Sequence, residues 1–399
     1  MARELITIAA ARDAVMASTP RLESERVDVL EAPGRVLAEE VRAGGDAPPF
    51  SCSAMDGYAI EPGPAGRELE VIGEARAGAP APVALAPGRA IRISTGAAIP
   101  ASAGAVIRQE DVERRDGRIV TRVQTHAGEN VRHAGEDMRK GTLVLAAGTR
   151  LGAAEIGAAV AAGAGELVVS RRPRVHVLCT GDELREPGAQ LRPGEIHNSN
   201  GPMLVTLARA AGALAEQSAR LPDDRQATVA ALAGALDAAD LVLVAGGVSV
   251  GPHDHVKPAL AELAVEERFW GVALQPGKPT WFGVRGNRLV FGLPGNPVSA
   301  FVTFVLFVRP ALAALHGERA PARTGRARLG ATVARSRSRE QAVRVRLEAA
   351  AGMPVAVPNG PQGSHIVTSL VGADGLALIP PGGGELGPGD EVEIVPLRG

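Results

Sequence analysis

The chain has 399 residues, 45% of them hydrophobic, enough for two to four domains with their own cores at about 100–200 residues per domain. Lys and Arg number 43 against 44 Asp and Glu, a formal net charge of -1, so no overall basic field draws the protein to nucleic acid or anionic lipid. Aromatic content of 3% removes the stacking platform of a single-strand nucleic-acid binder, and the two cysteines, Cys52 and Cys179, lack metal spacing and fit a reducing compartment better than a disulfide framework.

The N-terminal MARELITIAAARDAVM has no charged segment followed by a continuous apolar stretch and a small-residue cleavage site, so the expected location is cytoplasmic. Apolar positions over 6–16 recur at helical spacing and predict one amphipathic helix. From 27 to 145 the texture changes: LEVIG, RAIRIS, GAVIRQEDV and GRIVTRVQ alternate with Gly and Pro turns, which reads as a small β-rich domain. AAEIGAAVAAGAG reads as a helix that returns to pack on the first one. The β-rich stretch is then an insertion in a helical linking unit made of 1–26 and 146–173.

At Arg174 another rhythm begins. The strand VHVLC, the loop TGDEL, the helix NSNGPMLVTLARAAGA, the helix DDRQATVAALAGALDAA, the strand LVLVA, a Gly-rich loop, the strand RLVFGL and the helix PGNPVSAFVTF follow in turn. Alternating strands and helices over 174–320 predict a parallel sheet, with ligands at the carboxyl ends of its strands. NPVSAFVTFVLFVRPALAAL is interrupted by Arg309 and Pro310 and reads as a buried helix, not a membrane span. Residues 321–399 return to short β-like pieces, a last small β domain. The expected fold class is α/β plus β in a multidomain chain.

TGDEL, GGVSVG and GLPGNP all fall at strand ends. Gly246, Gly247, Ser249 and Gly251 can bring successive amides to an oxyanion, or simply make a tight turn. GLPGNPVS has the shape of a phosphate loop but lacks GK[ST], which disfavours Walker-type ATP hydrolysis, while Ser299 can still offer a hydroxyl. Asp182, Glu183 and Asp254 are carboxylates of the kind that hold Mg2+ against phosphates; each taken singly also suits a cap or a solvated turn. Lys278, in QPGKP, is a point charge suited to an oxyanion, or a solvated turn lysine. In the β-rich region, Arg132 can clamp an oxyanion with its fork, and Asp56 and Asp137 can place a metal or a water; Thr95 stands in the separate motif STGAAIP, and each stretch could also be turn chemistry. His197, His253 and His255 form no metal triad, so zinc is not expected.

PPFSCSAMDGYA, STGAAIP, GENVRHAGED, TGDEL, IHNSN, GGVSVGPHD, QPGKP, GLPGNPVSAF and QGSHIVTSL, in this order over nearly the whole chain, resemble the molybdopterin molybdenumtransferases, the MoeA and gephyrin E-domain family. The resemblance implies an L-shaped, four-domain homodimer, with the cleft formed by the α/β domain of one subunit and the β-rich domain of the other. It implies Mg2+-dependent cleavage of adenylylated molybdopterin with release of AMP, and insertion of molybdate into the dithiolene. Contacts with a molybdopterin adenylyltransferase and with recipient molybdoenzymes follow from the same resemblance. Carried over by position, Asp182, Glu183, Asp254 and Asp223 match acids around nucleotide and metal. Thr180, Gly181, Pro294, Asn296 and Pro297 belong to the matching cofactor-binding loops. Asp56, Thr95, Arg132 and Asp137 match the positions that the second subunit contributes, and Lys278, Ser299 and Ser364 those near the molybdate. The chain departs from the family at Gly104, where an acid is usual, at Ser51 and Cys52 in place of an Asp-Asn type pair, and at Gln275, where some members carry Lys. These departures bear on metal affinity and on the choice between molybdate and tungstate. Competing readings are an adenylyltransferase acting one step earlier, whose fold resembles the α/β domain, and a gephyrin-like receptor scaffold.

Overall fold

The structure is a computed structural model that describes residues 4–217, 221, 224–248, 255–319 and 324–397. A mixed six-stranded sheet organises the molecule. Leu214–Gln217, Arg174–Cys179, Leu241–Ala245 and Arg288–Leu293 run parallel, and Trp281–Arg285 and Glu266–Trp270 extend the sheet antiparallel at one edge. A parallel sheet with crossovers was the sequence expectation. The antiparallel edge arises because Arg285 and Arg288 pair across a tight hairpin turn, which leaves no room for a crossover helix.

Both faces of the sheet are covered, so its strands are nearly continuous runs of apolar residues. The pleat sends Val175, Val177, Leu241 and Leu243 into one core and Leu178, Val242 and Val244 into another. The first core also takes in Ile8, Ala11 and Val15 of the N-terminal helix Ile8–Ser18 and Leu376, Leu378 and Val395 of the C-terminal domain. The N-terminal helix therefore packs on the α/β unit against 304–315, and not on the later helix Ala153–Ala161 as its sequence suggested. That second helix belongs to a separate core with Val29, Leu37, Val41, Leu151 and Val169.

Two short antiparallel pairings, Ser24–Asp28 with Glu166–Ser170 and Val41–Arg42 with Leu143–Leu145, close this linking unit. Residues 29–43 and 138–145, assigned to the β-rich domain by their texture, pack here instead. Paired over two or three residues, such strands carry too little alternation to reveal which core they serve. The β-rich insertion itself is a six-stranded sheet from Gly57–Ile60 to Arg118–Thr121, with small cores on its two faces. In the C-terminal region Glu340–Glu348 pairs with both Val355–Pro358 and Gly375–Ile379, and Gly325–Leu329 and Glu391–Pro396 complete a closed barrel. Leu274–Gln275 adds to it in parallel register, Gln275 opposite Gln341.

The apolar helix at Pro297–Leu315 has a mean hydropathy of 2.0, and 72% of it is buried inside the protein. Pro297 stands in its first turn as expected. Pro310 does not break it: the turns over Phe304–Val308 widen to π geometry, which relieves the clash a proline ring makes with the preceding turn. Arg12 donates to the Leu306 carbonyl in that widened segment at 3.2 Å. Arg309, half-buried and held below the usual guanidinium range by that burial, donates to Pro396 O at 2.8 Å.

Candidate functional site

Because Arg174–Cys179, Leu241–Ala245 and Arg288–Leu293 are neighbours in one parallel sheet, their carboxyl ends deliver TGDEL, the Gly-rich loop and GLPGNP to the same edge. The Thr180 N–H donates to Ala245 O at 3.1 Å and the Gly246 N–H to Leu293 O at 3.0 Å, which joins the three loops. Gly246 and Gly247 have φ of +93° and +64°, and the space is as restrictive as the backbone. A Cβ on Gly246 would stand 2.9 Å from Thr180 O and one on Gly247 2.6 Å from Val256. Gly246 spends its amide on the sheet, so any anion cradle rests on the residues after it.

Asn200 Nδ2 donates to Gly295 O at 2.6 Å and brings IHNSN to this edge, while its buried Oδ1 finds no partner among the described residues. Asn198 Oδ1 accepts the Gly201 N–H at 3.1 Å and caps the helix that follows, while Ser199 makes no side-chain cap. Both cysteines are buried and free, as read from the sequence. Burial pushes the Cys179 thiol up to about 11, with an Asn198 hydrogen bond opposing, so it is no nucleophile.

Asp182 and Glu183 are exposed at the end of their strand, and the Glu183 carboxylate lies over Gly181, where an added Cβ would meet it at 2.5 Å. Asp223, Ser249, Gly251 and Asp254 lie outside the described residues. Among the described residues no three His, Cys, Asp or Glu side chains converge as a metal cluster. Two adjacent carboxylates nevertheless fit Mg2+, which usually takes one or two and fills its octahedron with phosphate oxygens and water.

The helix that starts at Pro297 meets the C-terminal domain over a cavity of about 370 Å³. Val298 N–H donates to Ser364 O at 3.2 Å and Asn296 Nδ2 to Ser364 Oγ at 3.1 Å, which seats the QGSH loop on the helix start. Lys278, Ser299 and Ser364 line this cavity together with Gln275, Arg339 and Arg344, and among the described residues no acidic side chain does. Arg344 is 1% exposed, and burial alone lowers its pKa to about 10. Among the described residues its guanidinium donates to neutral oxygens, Ser369 Oγ at 3.2 Å and the Pro361 and Gly363 carbonyls at 3.3 Å. A buried cation held this way is oriented but not neutralised, which suits an incoming oxyanion. Arg339 and Arg344 were absent from the sequence reading. The parallel pairing of Gln275 with Gln341 is what brings them to Lys278, and sequence distance hides it.

In the β-rich region Asp56 Oδ1 accepts from Thr95 N–H at 2.7 Å and Thr95 Oγ1 at 3.1 Å. These two bonds, backbone first, hold the Asp56 carboxyl below the usual range and keep it ionised. Gly96 N–H donates to Ser53 O, and Cys52–Ser53 pairs with Val131–Arg132, so Asp56, Thr95 and Arg132 are carried by adjoining segments. The Asp137 amide donates to Ala47 O at 3.0 Å. Of the departures, Gly104 sits where a Cβ would approach Pro62 to 2.8 Å, Cys52 is buried opposite Arg132, and Gln275 lines the cation-rich cavity. Within one chain the β-rich cluster and the strand-end cluster belong to separate cores.

Three family models match the chain in order: the MoeA N-terminal region (domains I and II) over residues 6–163, a probable molybdopterin binding domain over 176–314, and the MoeA C-terminal region (domain IV) over 326–397. The chain is 36% identical over 385 residues to molybdopterin molybdenumtransferase 2 of Mycobacterium tuberculosis, covering 92% of this chain and 94% of the relative. It is 31% identical over 402 residues to the molybdopterin molybdenumtransferase of Staphylococcus epidermidis, covering 98% and 96%. A crystal structure of the molybdopterin biosynthesis MoeA protein of Pyrococcus horikoshii OT3 superposes with a TM-score of 0.85 at 31% identity, over 98% of this chain and 99% of that one. A multidomain α/β plus β fold, a strand-end loop cluster and a cationic cavity thus meet in a chain that belongs to the MoeA family of molybdopterin molybdenumtransferases.

Proposed function

We propose that the chain inserts molybdate into molybdopterin, cleaving adenylylated molybdopterin and releasing AMP. The cavity of Lys278, Arg339 and Arg344 carries this reading: among the described residues, three cations, two serine hydroxyls and no carboxylate make a seat for a small dianion. Next to it, GLPGNP offers main chain to the substrate's phosphates. Family membership and the named relatives support the same activity.

In this mechanism the dianion is desolvated into a site where Arg344 already bears the cost of burial, so binding relieves an unpaired charge and does not create one. Lys278 meets it from the exposed side of the cavity. Asp182 and Glu183 would hold Mg2+, which when bound neutralises charge on the phosphates. Arg132 supplies a fork for the leaving phosphate, and Asp56, kept ionised by Thr95, orients the attacking water. Since these last residues occupy a separate core from the strand-end loops, the reading includes a homodimer in which a second copy brings its β-rich region over the cleft. The protein would work in the cytoplasm, taking substrate from an adenylyltransferase and passing product to molybdoenzymes.

Incubation of the purified protein with adenylylated molybdopterin, Mg2+ and molybdate tests the reading. AMP release coupled to activation of an apo molybdoenzyme is expected. Glu183→Gln and Asp56→Asn should fold normally and lose insertion; wild-type turnover by both would remove the assignment.

A further inference from the structure

At the opposite end of the parallel sheet, Arg174–Cys179 and Leu214–Gln217 begin and the helices Asn200–Ala210 and Arg225–Ala238 end. Between these ends and the Pro33–Gly34 turn of the linking unit lies a half-open cavity of about 880 Å³. The run Arg171-Arg172-Pro173-Arg174 leads into it. Arg171 is consumed by Asp240, with bonds of 2.7 and 2.8 Å. Arg172 and Arg174 line the cavity, both exposed, and neither has an anionic partner among the described residues.

The other charges on the wall do not balance them. Arg150 is matched by Glu318, at 3.1 and 2.7 Å. Arg209 donates to the Ala215 carbonyl at 3.0 and 2.8 Å, a neutral acceptor that leaves its charge in place. Among the described residues of the lining Glu216 is the one acid, and it already faces His176 Nδ1 at 3.5 Å, so Arg172, Arg174 and Arg209 outnumber it. Behind the Gly212 wall lies His316, 3% exposed, its ring nitrogens making no hydrogen bond of normal geometry among the described residues. Its Nε2 and the Arg150 guanidinium would stand 3.1 and 3.2 Å from a Cβ at position 212. Glycine there thins the wall to backbone between the cavity and an unsatisfied ring.

We propose that this cavity is a second ligand site, remote from the strand-end loops, for a small phosphate ester whose phosphate is gripped by Arg172 and Arg174. An ester is favoured over a bare oxyanion by size, since the space lies in the range of organic-ligand pockets and far exceeds what one ion fills. Glu216 and the last carbonyls of the two helices are acceptors; they suit hydroxyl or amine donors on the organic part and repel a second anion. A ligand here would touch both the linking unit and the α/β unit.

Calorimetric titration of the full-length protein with ribose 5-phosphate and, separately, inorganic phosphate at low salt tests the proposal. Wild type should bind the ester more tightly than the ion, with hydrogen-exchange protection over 209–216. Arg172→Ser/Arg174→Ser should weaken ester binding at least about tenfold, the effect of losing hydrogen bonds to a charged group, and leave molybdate insertion unchanged. Lys278→Ala should do the reverse. Absence of binding at millimolar ester, equal affinity for inorganic phosphate, unchanged binding by the double variant, or loss in Lys278→Ala would each overturn it.

Discussion

Replacing His316 by Leu should remove a measurable part of the protein's acid sensitivity. Burial holds the His316 pKa at about 4, against an ordinary 6.5. Arg150 and Arg35 push in the same direction, Glu318 opposes them, and a marginal main-chain contact with Ala211 is the weakest influence. The ring is neutral when folded and basic when unfolded, so protons bind the unfolded chain first as the pH drops. Its contribution is intact above about pH 6.5 and is lost as the pH falls through about 4. At 1.36 kcal/mol per pKa unit the full loss is about 3 kcal/mol, of which about 2 kcal/mol is already gone at pH 5. Urea unfolding of wild type and His316→Leu at pH 7.5, 6, 5 and 4.5 reads this directly, because the carboxylates common to both cancel in the difference. The gap between the two proteins should change by about 2 kcal/mol in favour of the variant between pH 7.5 and 5. Parallel pH dependences would refute the reasoning and mean that the folded ring takes up a proton near its ordinary pKa.

Asp240→Asn should lower stability by about 3–5 kcal/mol in urea unfolding, because a carboxylate that is 3% exposed receives Arg171, Arg288 and the Arg174 amide. Burial works against that charge, yet the two arginines and the amide keep its carboxyl below the usual range. Thr95→Val retains the backbone bond to Asp56 and loses the hydroxyl, so the Asp56 pKa rises and the acid limb of insertion activity moves to higher pH; an unmoved limb would separate Asp56 from the rate. Arg344→Met should weaken molybdate binding in calorimetry by about 10–150-fold, the value of a hydrogen bond to a charged group, and cost little stability since it also removes an unneutralised buried charge. Gly247→Ala should destabilise by about 1–3 kcal/mol, from positive φ and the 2.6 Å approach to Val256, and reduce AMP release with it.

Several features were legible because they are local. Glycines at Gly246 and Gly247 announce a turn that no side chain fits, and Pro297 announces a helix start. Runs such as LVLVA announce a strand covered on both faces, since alternate residues go to opposite cores and all must be apolar. Asp56 and Thr95 were singled out from separate motifs, and their hydrogen bonds now join them.

What sequence alone determined is therefore the inventory: the alternation of strands and helices from Arg174, the loops at strand ends, the acids and cations of the motifs, and the ordered resemblance that names the family. Tertiary structure decided the company each residue keeps. Arg344 and Arg339 join Lys278 only through the pairing of Gln275 with Gln341, and the Ile8–Ser18 helix chose the core of the α/β sheet over that of Ala153–Ala161. Propensity, capping and turn chemistry act over a few residues, so the sequence displays them directly. Long-range pairing and burial depend on which surfaces meet after the chain has closed, and no short window of residues records that.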